Sequence, residues 1–143
     1  MALYKIIDGI YLSNLHDAQN LNLIKDNKIK LVIRLSDDVF NENIYDNSII
    51  FKNIELEDNI FSEKEMINTA KKVFNMINSF DENILIHCNE GKSRSVSIII
   101  YYLIKQYNYS YDKAYNYIKN IKSDVCPNIA FQNELRKISC LNN

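Results

Sequence analysis

The sequence predicts an α/β fold with a central, mostly parallel sheet of about five strands flanked by helices. Two observations and a rule of strand pairing lead there. Short runs rich in Ile, Val and Leu recur along the 143 residues. Longer segments with apolar residues at helical spacing separate the later runs. Strands that alternate with helices pair in parallel and are covered on both faces.

Residues 4–7 and 10–12 are short apolar strands split by Asp8-Gly9, a hairpin signal. Residues 15–28 read as one helix, with Leu15, Ala18, Leu21 and Ile24 on its apolar side. Residues 30–35 (KLVIRL) are a buried strand, 36–48 a polar loop and 49–56 a further strand. Ser62 and Glu65 match a capping box that opens a helix to about Phe80. Its apolar face is Met66, Thr69, Ala70, Val73, Phe74, Ile77 and Phe80. Residues 83–87 (NILIH) form the last strand, and the polar loop 88–92 follows it. Helices are then expected over 93–107, 110–121 and 128–141, with Pro127 just before the last. The tyrosines between Tyr101 and Tyr117 fall on helix faces and read as packing groups.

The length fits one domain over 1–143, and no repeat or low-complexity linker divides it. With 47% hydrophobic and 24% charged residues the composition is that of a globular protein. A net charge of −1 argues against general nucleic-acid binding. The apolar stretch 96–104 is too short to span a membrane, and the first residues lack the pattern of a signal peptide. Cys88, Cys126 and Cys140 are too few and too widely spaced for a disulfide framework or a zinc site. A reduced setting is expected, the cytoplasm first and the nucleus as the alternative. Cys140 stands fourth from the end, but Asn142 occupies the place where prenylation wants an aliphatic residue.

The segment His87-Cys88-Asn89-Glu90-Gly91-Lys92-Ser93-Arg94-Ser95 lies between a strand and a helix. A loop there can wrap its N–H groups around an anion, helped by the helix N-terminus. Gly91 permits the tight path, and Arg94 offers two parallel donors to phosphate oxygens. The same donors favour a thiolate at Cys88, since such sites lower a Cys pKa to roughly 3.5–7.5. A thiolate beneath a bound phosphate is placed for attack and a phosphocysteine intermediate. His16, Cys126 and Cys140 read as ordinary structural residues.

This segment resembles the phosphate-binding loop of the cysteine-based protein tyrosine phosphatase superfamily: His-Cys, five residues, Arg, then Ser. The chain is most similar to the compact dual-specificity protein phosphatases, over nearly its whole length. Ile10-Tyr11-Leu12-Ser13 with Ala18 resembles their opening strand and helix. Ala114, Pro127-Asn128, Phe131 and Leu135 resemble their closing helices. The resemblance implies the phosphotyrosine protein phosphatase-like fold and catalysis without metal or cofactor. It implies Cys88 as nucleophile, Arg94 and the loop residues Asn89, Glu90, Gly91, Lys92 and Ser93 around the phosphate, and His87 as support. Ser95 would stabilise the departing thiolate.

In this family an Asp upstream of the Cys protonates the leaving oxygen. The candidates are Glu55, Glu57, Asp58, Glu63 and Glu65. Glu63 and Glu65 read as first-turn helix acids. Ile54-Glu55-Leu56-Glu57-Asp58 resembles the family's strand-to-loop segment with Asp58 in the acid's place, and Glu57 is the alternative one residue away.

The function implied is hydrolysis of phosphotyrosine and phosphoserine/threonine in protein substrates. Lys92 is a departure toward the lipid phosphatases of the same superfamily, but Asn89 stands where those carry a second basic residue, and Glu90 adds a negative charge. A phosphoinositide or RNA 5′-phosphatase is the first alternative. A phosphoprotein-binding pseudophosphatase is the second, set against the presence of both Cys88 and Arg94. Neither nucleic acid nor membrane is an expected partner, and nothing in these features implies an oligomeric state.

Overall fold

The structure is a computed structural model and describes residues 1–141. Asn142, on which the prenylation reading turns, lies outside the described residues. Strands β1 (Tyr4–Ile7) and β2 (Ile10–Ser13) form the expected antiparallel hairpin. Gly9 turns it at φ +87°. Strands β3 (Ile29–Leu35), β4 (Ile50–Ile54) and β5 (Asn83–His87) complete a sheet of order β1-β2-β5-β3-β4. All pairings beyond the hairpin are parallel.

β5 sits between β2 and β3, with Ser13 and Arg34 both in register with His87. Its carboxyl end therefore delivers Cys88 to the middle of one edge of the sheet, where open α/β folds bind their ligands. The central strands are apolar on both faces, as parallel strands must be. Leu12, Leu31, Ile33, Ile84 and Ile86 join one core, while Tyr11, Val32 and Leu85 join another with Ala18, Ile24 and Tyr45.

Helices α1 (Leu15–Ala18) and α2 (Leu21–Asp26) replace the single helix expected over 15–28. The cause is Asn20. Its side chain accepts from the N–H groups of Asn22 and Leu23 and starts a new helix, just as Asn14 caps the first on Asp17. Within the predicted loop 36–48 the chain makes a short 3₁₀ turn, Glu42–Ile44.

α3 (Glu63–Asn78) buries Met66, Thr69, Ala70, Val73 and Ile77 as expected. The capping box at its start does not form. Ser62 donates to Asn59 Oδ1 at 3.0 Å, in an Asn59 turn that also takes the Phe61 N–H at 2.8 Å. Local side-chain turns of this kind compete with caps for the same hydroxyl.

α4 (Arg94–Tyr107) is buried from Arg94 through Ile104. A helix apolar all round belongs inside, and α3, α5 (Tyr111–Ile121) and α6 (Ile129–Leu141) cover it. Asn108 ends it in the left-handed conformation, φ 58°. Tyr101, Tyr102 and Tyr111 are buried as expected, whereas Tyr107 and Tyr117 stay exposed, Tyr117 donating to the Ile6 carbonyl at 2.7 Å. No helix among the described residues is long and apolar enough to cross a membrane.

Candidate active site

Cys88 stands at the bottom of the loop joining β5 to α4, with only 2% of its surface exposed. Its Sγ lies 3.1 Å from Ser95 Oγ on the first turn of α4. His87 is fully buried. Its Nδ1 donates to the Cys88 carbonyl at 3.1 Å, which fixes the tautomer because a carbonyl can only accept. Burial pushes the His87 pKa down to about 4, so the ring is neutral at physiological pH.

The surrounding chain grips the carbonyls of this loop. Leu15 N–H donates to Asn89 O at 2.8 Å, Cys126 N–H to Lys92 O at 2.7 Å, and Lys122 Nζ to Glu90 O at 3.4 Å. Among the described residues, none of the backbone N–H groups of 89–93 donates to another protein group. Carbonyls held outward and amides left free are what an anion-binding loop requires. Gly91 sits at φ +68°, where a Cβ would come within 2.7 Å of the Ser13 carbonyl oxygen. The β2 end and the loop thus pack backbone to backbone, a contact that admits only Gly.

Arg94 is 8% exposed and is anchored through one nitrogen. Nη1 donates to the Leu56 carbonyl at 3.1 Å and to Asp37 at 3.3 Å. Asp37 and the Leu56 carbonyl were not anticipated from the sequence. They follow β3 and β4, at the same edge of the sheet as the Cys88 loop.

Asp58, Cys88, Asn89, Glu90, Lys92, Ser93 and Arg94 line one pocket of about 230 Å³. Asp58 is held there by two donors to Oδ1: Ser93 Oγ at 2.7 Å and Asn128 Nδ2 at 2.9 Å. Glu57 instead accepts from Asn59 Nδ2 at 2.7 Å and faces a separate cleft with Glu55, Ser62 and Glu65. Asn128 was singled out only by resemblance. It caps α6 by accepting from Phe131 N–H at 2.9 Å, and its own N–H donates to Ser93 Oγ at 2.9 Å. Pro127-Asn128 before an apolar helix is the signal that marks such a cap.

Lys92 and Glu90 pair with each other at 3.6 Å on the rim. Cys126 and Cys140 are free and exposed, and Cys126 meets the loop through its backbone. No three His, Cys, Asp or Glu side chains among the described residues converge as a metal-ligand set.

Protein phosphatase Slingshot homolog 1 of Homo sapiens is 27% identical over 133 residues, covering 91% of this chain and 12% of that protein. Human dual specificity protein phosphatase 6 is 28% identical over 137 residues, covering 92% of this chain and 35% of its own length. The chain thus spans between about an eighth and about a third of these relatives. The crystal structure of DUSP15 superposes with a TM-score of 0.89 at 23% identity, over 96% of this chain and 87% of that one. That of human tyrosine phosphatase-like serine/threonine/tyrosine-interacting protein superposes with a TM-score of 0.78 at 18% identity, over 98% and 97%. Both likenesses show the fold. The family described as dual specificity phosphatase, catalytic domain, matches residues 10–139, from the first residue of β2 to the last turn of α6. By that match the chain belongs to the dual specificity phosphatase catalytic domain family.

Proposed function

We propose that the protein is a cysteine-dependent phosphatase that hydrolyses phosphotyrosine and phosphoserine/threonine in proteins through a phosphocysteine intermediate. The observation that carries the reading is the position of Cys88 Sγ, 3.1 Å from Ser95 Oγ, in a pocket that Arg94 and Asp58 also line.

The Cys88 thiolate attacks phosphorus while Arg94 and the loop amides hold the non-bridging oxygens. The P–O ester bond breaks, and protonated Asp58 gives its proton to the leaving oxygen. Asp58, now a carboxylate, takes a proton from the attacking water. The P–S bond breaks, inorganic phosphate leaves, and the Ser95 hydroxyl donates to the returning thiolate. Phosphate release from phosphotyrosine and phosphothreonine peptides tests this. Cys88→Ser should abolish turnover while phosphate binding survives, and appreciable residual turnover would refute the covalent route.

Lys92 is the feature that favours a phosphoinositide or RNA 5′-phosphate. Its pairing with Glu90, and the carboxylates of Asp37 and Asp58 near Arg94, weigh against a polyanionic substrate. Lipid and RNA arms in the same assay decide between them. Binding of phosphopeptides without turnover would instead mark a pseudophosphatase.

A further inference from the structure

Arg34 is a large charged side chain with almost no surface exposed, 1%. It stands on β3 in register with His87 on β5, one residue before Cys88. Its Nη2 pairs with Asp38 at 2.5 Å, and its guanidinium lies 4.7 Å from the centre of the Phe40 ring. The same ring is 6.2 Å from the His87 ring. Nε and Nη1 are buried and make no hydrogen bond.

This is a costly arrangement. A buried charge needs a full set of partners, and removing a guanidinium from water for one ion pair leaves a deficit. Asp38 is a weak counterweight because its side chain is 53% exposed and its oxygen is shared with the Ser36 hydroxyl. The pair is formally neutral, but the guanidinium is buried and its counter-charge faces water, so the field behind the loop is weighted toward the positive partner.

Resting on the reading of Cys88 as nucleophile, we propose that Arg34 is a positioning residue whose buried charge biases Cys88 toward the thiolate, and that Asp38 sets how much of that charge is felt. Burial keeps the His87 ring neutral, and the Arg34 charge adds a smaller push the same way, leaving the Nδ1–H on the Cys88 carbonyl. The Ser36 hydroxyl holds the Asp38 carboxyl below its ordinary value against the cost of burial, with smaller help from Arg34 and from Asn89, the residue after Cys88.

Other charges act on Cys88 as well. Arg94, Lys92 and Glu90 act from the loop and α4, Asp37 and Asp58 from the loops after β3 and β4, and Lys122 with Asp124 from the segment after α5. None of them changes in the comparison below, so differences between variants isolate Arg34 and Asp38.

The test is the pH profile of iodoacetamide alkylation, followed by mass spectrometry on the peptide containing Cys88. Alkylation requires a thiolate and no turnover. Arg34→Met should move the midpoint up by about half a pH unit to one unit, the order expected for losing one poorly screened charge at an effective dielectric of about 20, reduced by Asp38. Asp38→Asn should move it down by a few tenths. A general loosening of the loop would move both variants the same way. No shift in Arg34→Met, or shifts of the same sign, overturns the proposal. Should Arg34→Met fail to fold, Asp38→Asn at the half-exposed position decides alone, and an unchanged or raised midpoint refutes. Wild-type Cys88 reacting no faster at neutral pH than exposed Cys126 would sink the nucleophile reading, an outcome distinct from a failed Arg34 shift.

Discussion

Ser93 donates its hydroxyl proton to Asp58 Oδ1 at 2.7 Å, tying the loop after β4 to the turn that opens α4. The same Oγ accepts the Asn128 N–H at 2.9 Å, so one hydroxyl joins the loop after β4, the Cys88 loop and the start of α6. The local sequence suggested only that Ser93 shapes the loop or begins the helix. It spends its side chain on Asp58 and leaves the helix uncapped.

Ser93→Ala removes one of the two donors to Asp58 and leaves Asn128 Nδ2 in place. As Asp58 gives up its proton and becomes a carboxylate, this donor comes to face a charged group, a hydrogen bond contributing about 1.5 kcal/mol or roughly tenfold in rate. The expected loss is therefore about tenfold for an alkyl phosphate and small for an activated aryl phosphate. Equal losses on both would mean that Ser93 acts on the loop and not through Asp58.

Asp58→Ala should cost roughly 10²–10⁴-fold with a poor leaving group, the usual worth of a general acid. With a good leaving group the loss should shrink, because the departing oxygen then needs no proton. Glu57→Ala serves as the control, since Glu57 faces the neighbouring cleft. A leaving-group-dependent loss in Glu57→Ala, with none in Asp58→Ala, would transfer the role.

The strands and the Cys88–Arg94 loop were legible in the sequence because each depends on local pattern. The helix break at Asn20 was not, since apolar spacing continues through it and only the Asn20 side chain interrupts the backbone. Ser62 misled for a related reason: Asn59, three residues upstream, competes for its hydroxyl. The partners of Arg94 and Asp58 are separated from them by 35 to 70 residues. Contacts at that range are set by strand order, with β5 inserted between β2 and β3, and no local pattern encodes that insertion.

Gly91→Ala and Gly9→Ala form a contrast. Both glycines have positive φ, yet a Cβ on Gly9 meets nothing within 4 Å, while one on Gly91 meets the Ser13 carbonyl at 2.7 Å. Strained backbone costs about 1–3 kcal/mol, and a backbone neighbour cannot swing aside to relieve it. Gly91→Ala should lower Tm by about 3–10 °C and reduce phosphate release at least tenfold. Gly9→Ala should carry only the smaller conformational cost and keep its activity. Thermal melts and initial rates on both variants check this, and a fully active Gly91→Ala would show that the loop can move away from β2.

His87 makes stability depend on pH in a definite window. Its folded value of about 4 lies below the ordinary 6.5, because burial disfavours the imidazolium. Above pH 6.5 the ring is neutral in both folded and unfolded chains and has no effect. Between 6.5 and 4 the unfolded chain takes up a proton that the folded one refuses, so stability falls as pH falls. A gap of about 2.5 pH units corresponds to about 3 kcal/mol, lost in full below pH 4. Asp38 and Asp46 are held below their ordinary 3.8, chiefly by the hydroxyls of Ser36 and Ser48, and lose their contributions only at lower pH still. The two windows therefore separate. Urea midpoints at pH 7.5, 6.0 and 5.0 should decline for the wild type and stay nearly level for His87→Gln over the same range. The other histidine, His16, is exposed and remains in both proteins as an internal control. A decline of equal slope in His87→Gln would assign the proton to another group and leave the buried, neutral ring beneath Cys88 without thermodynamic support.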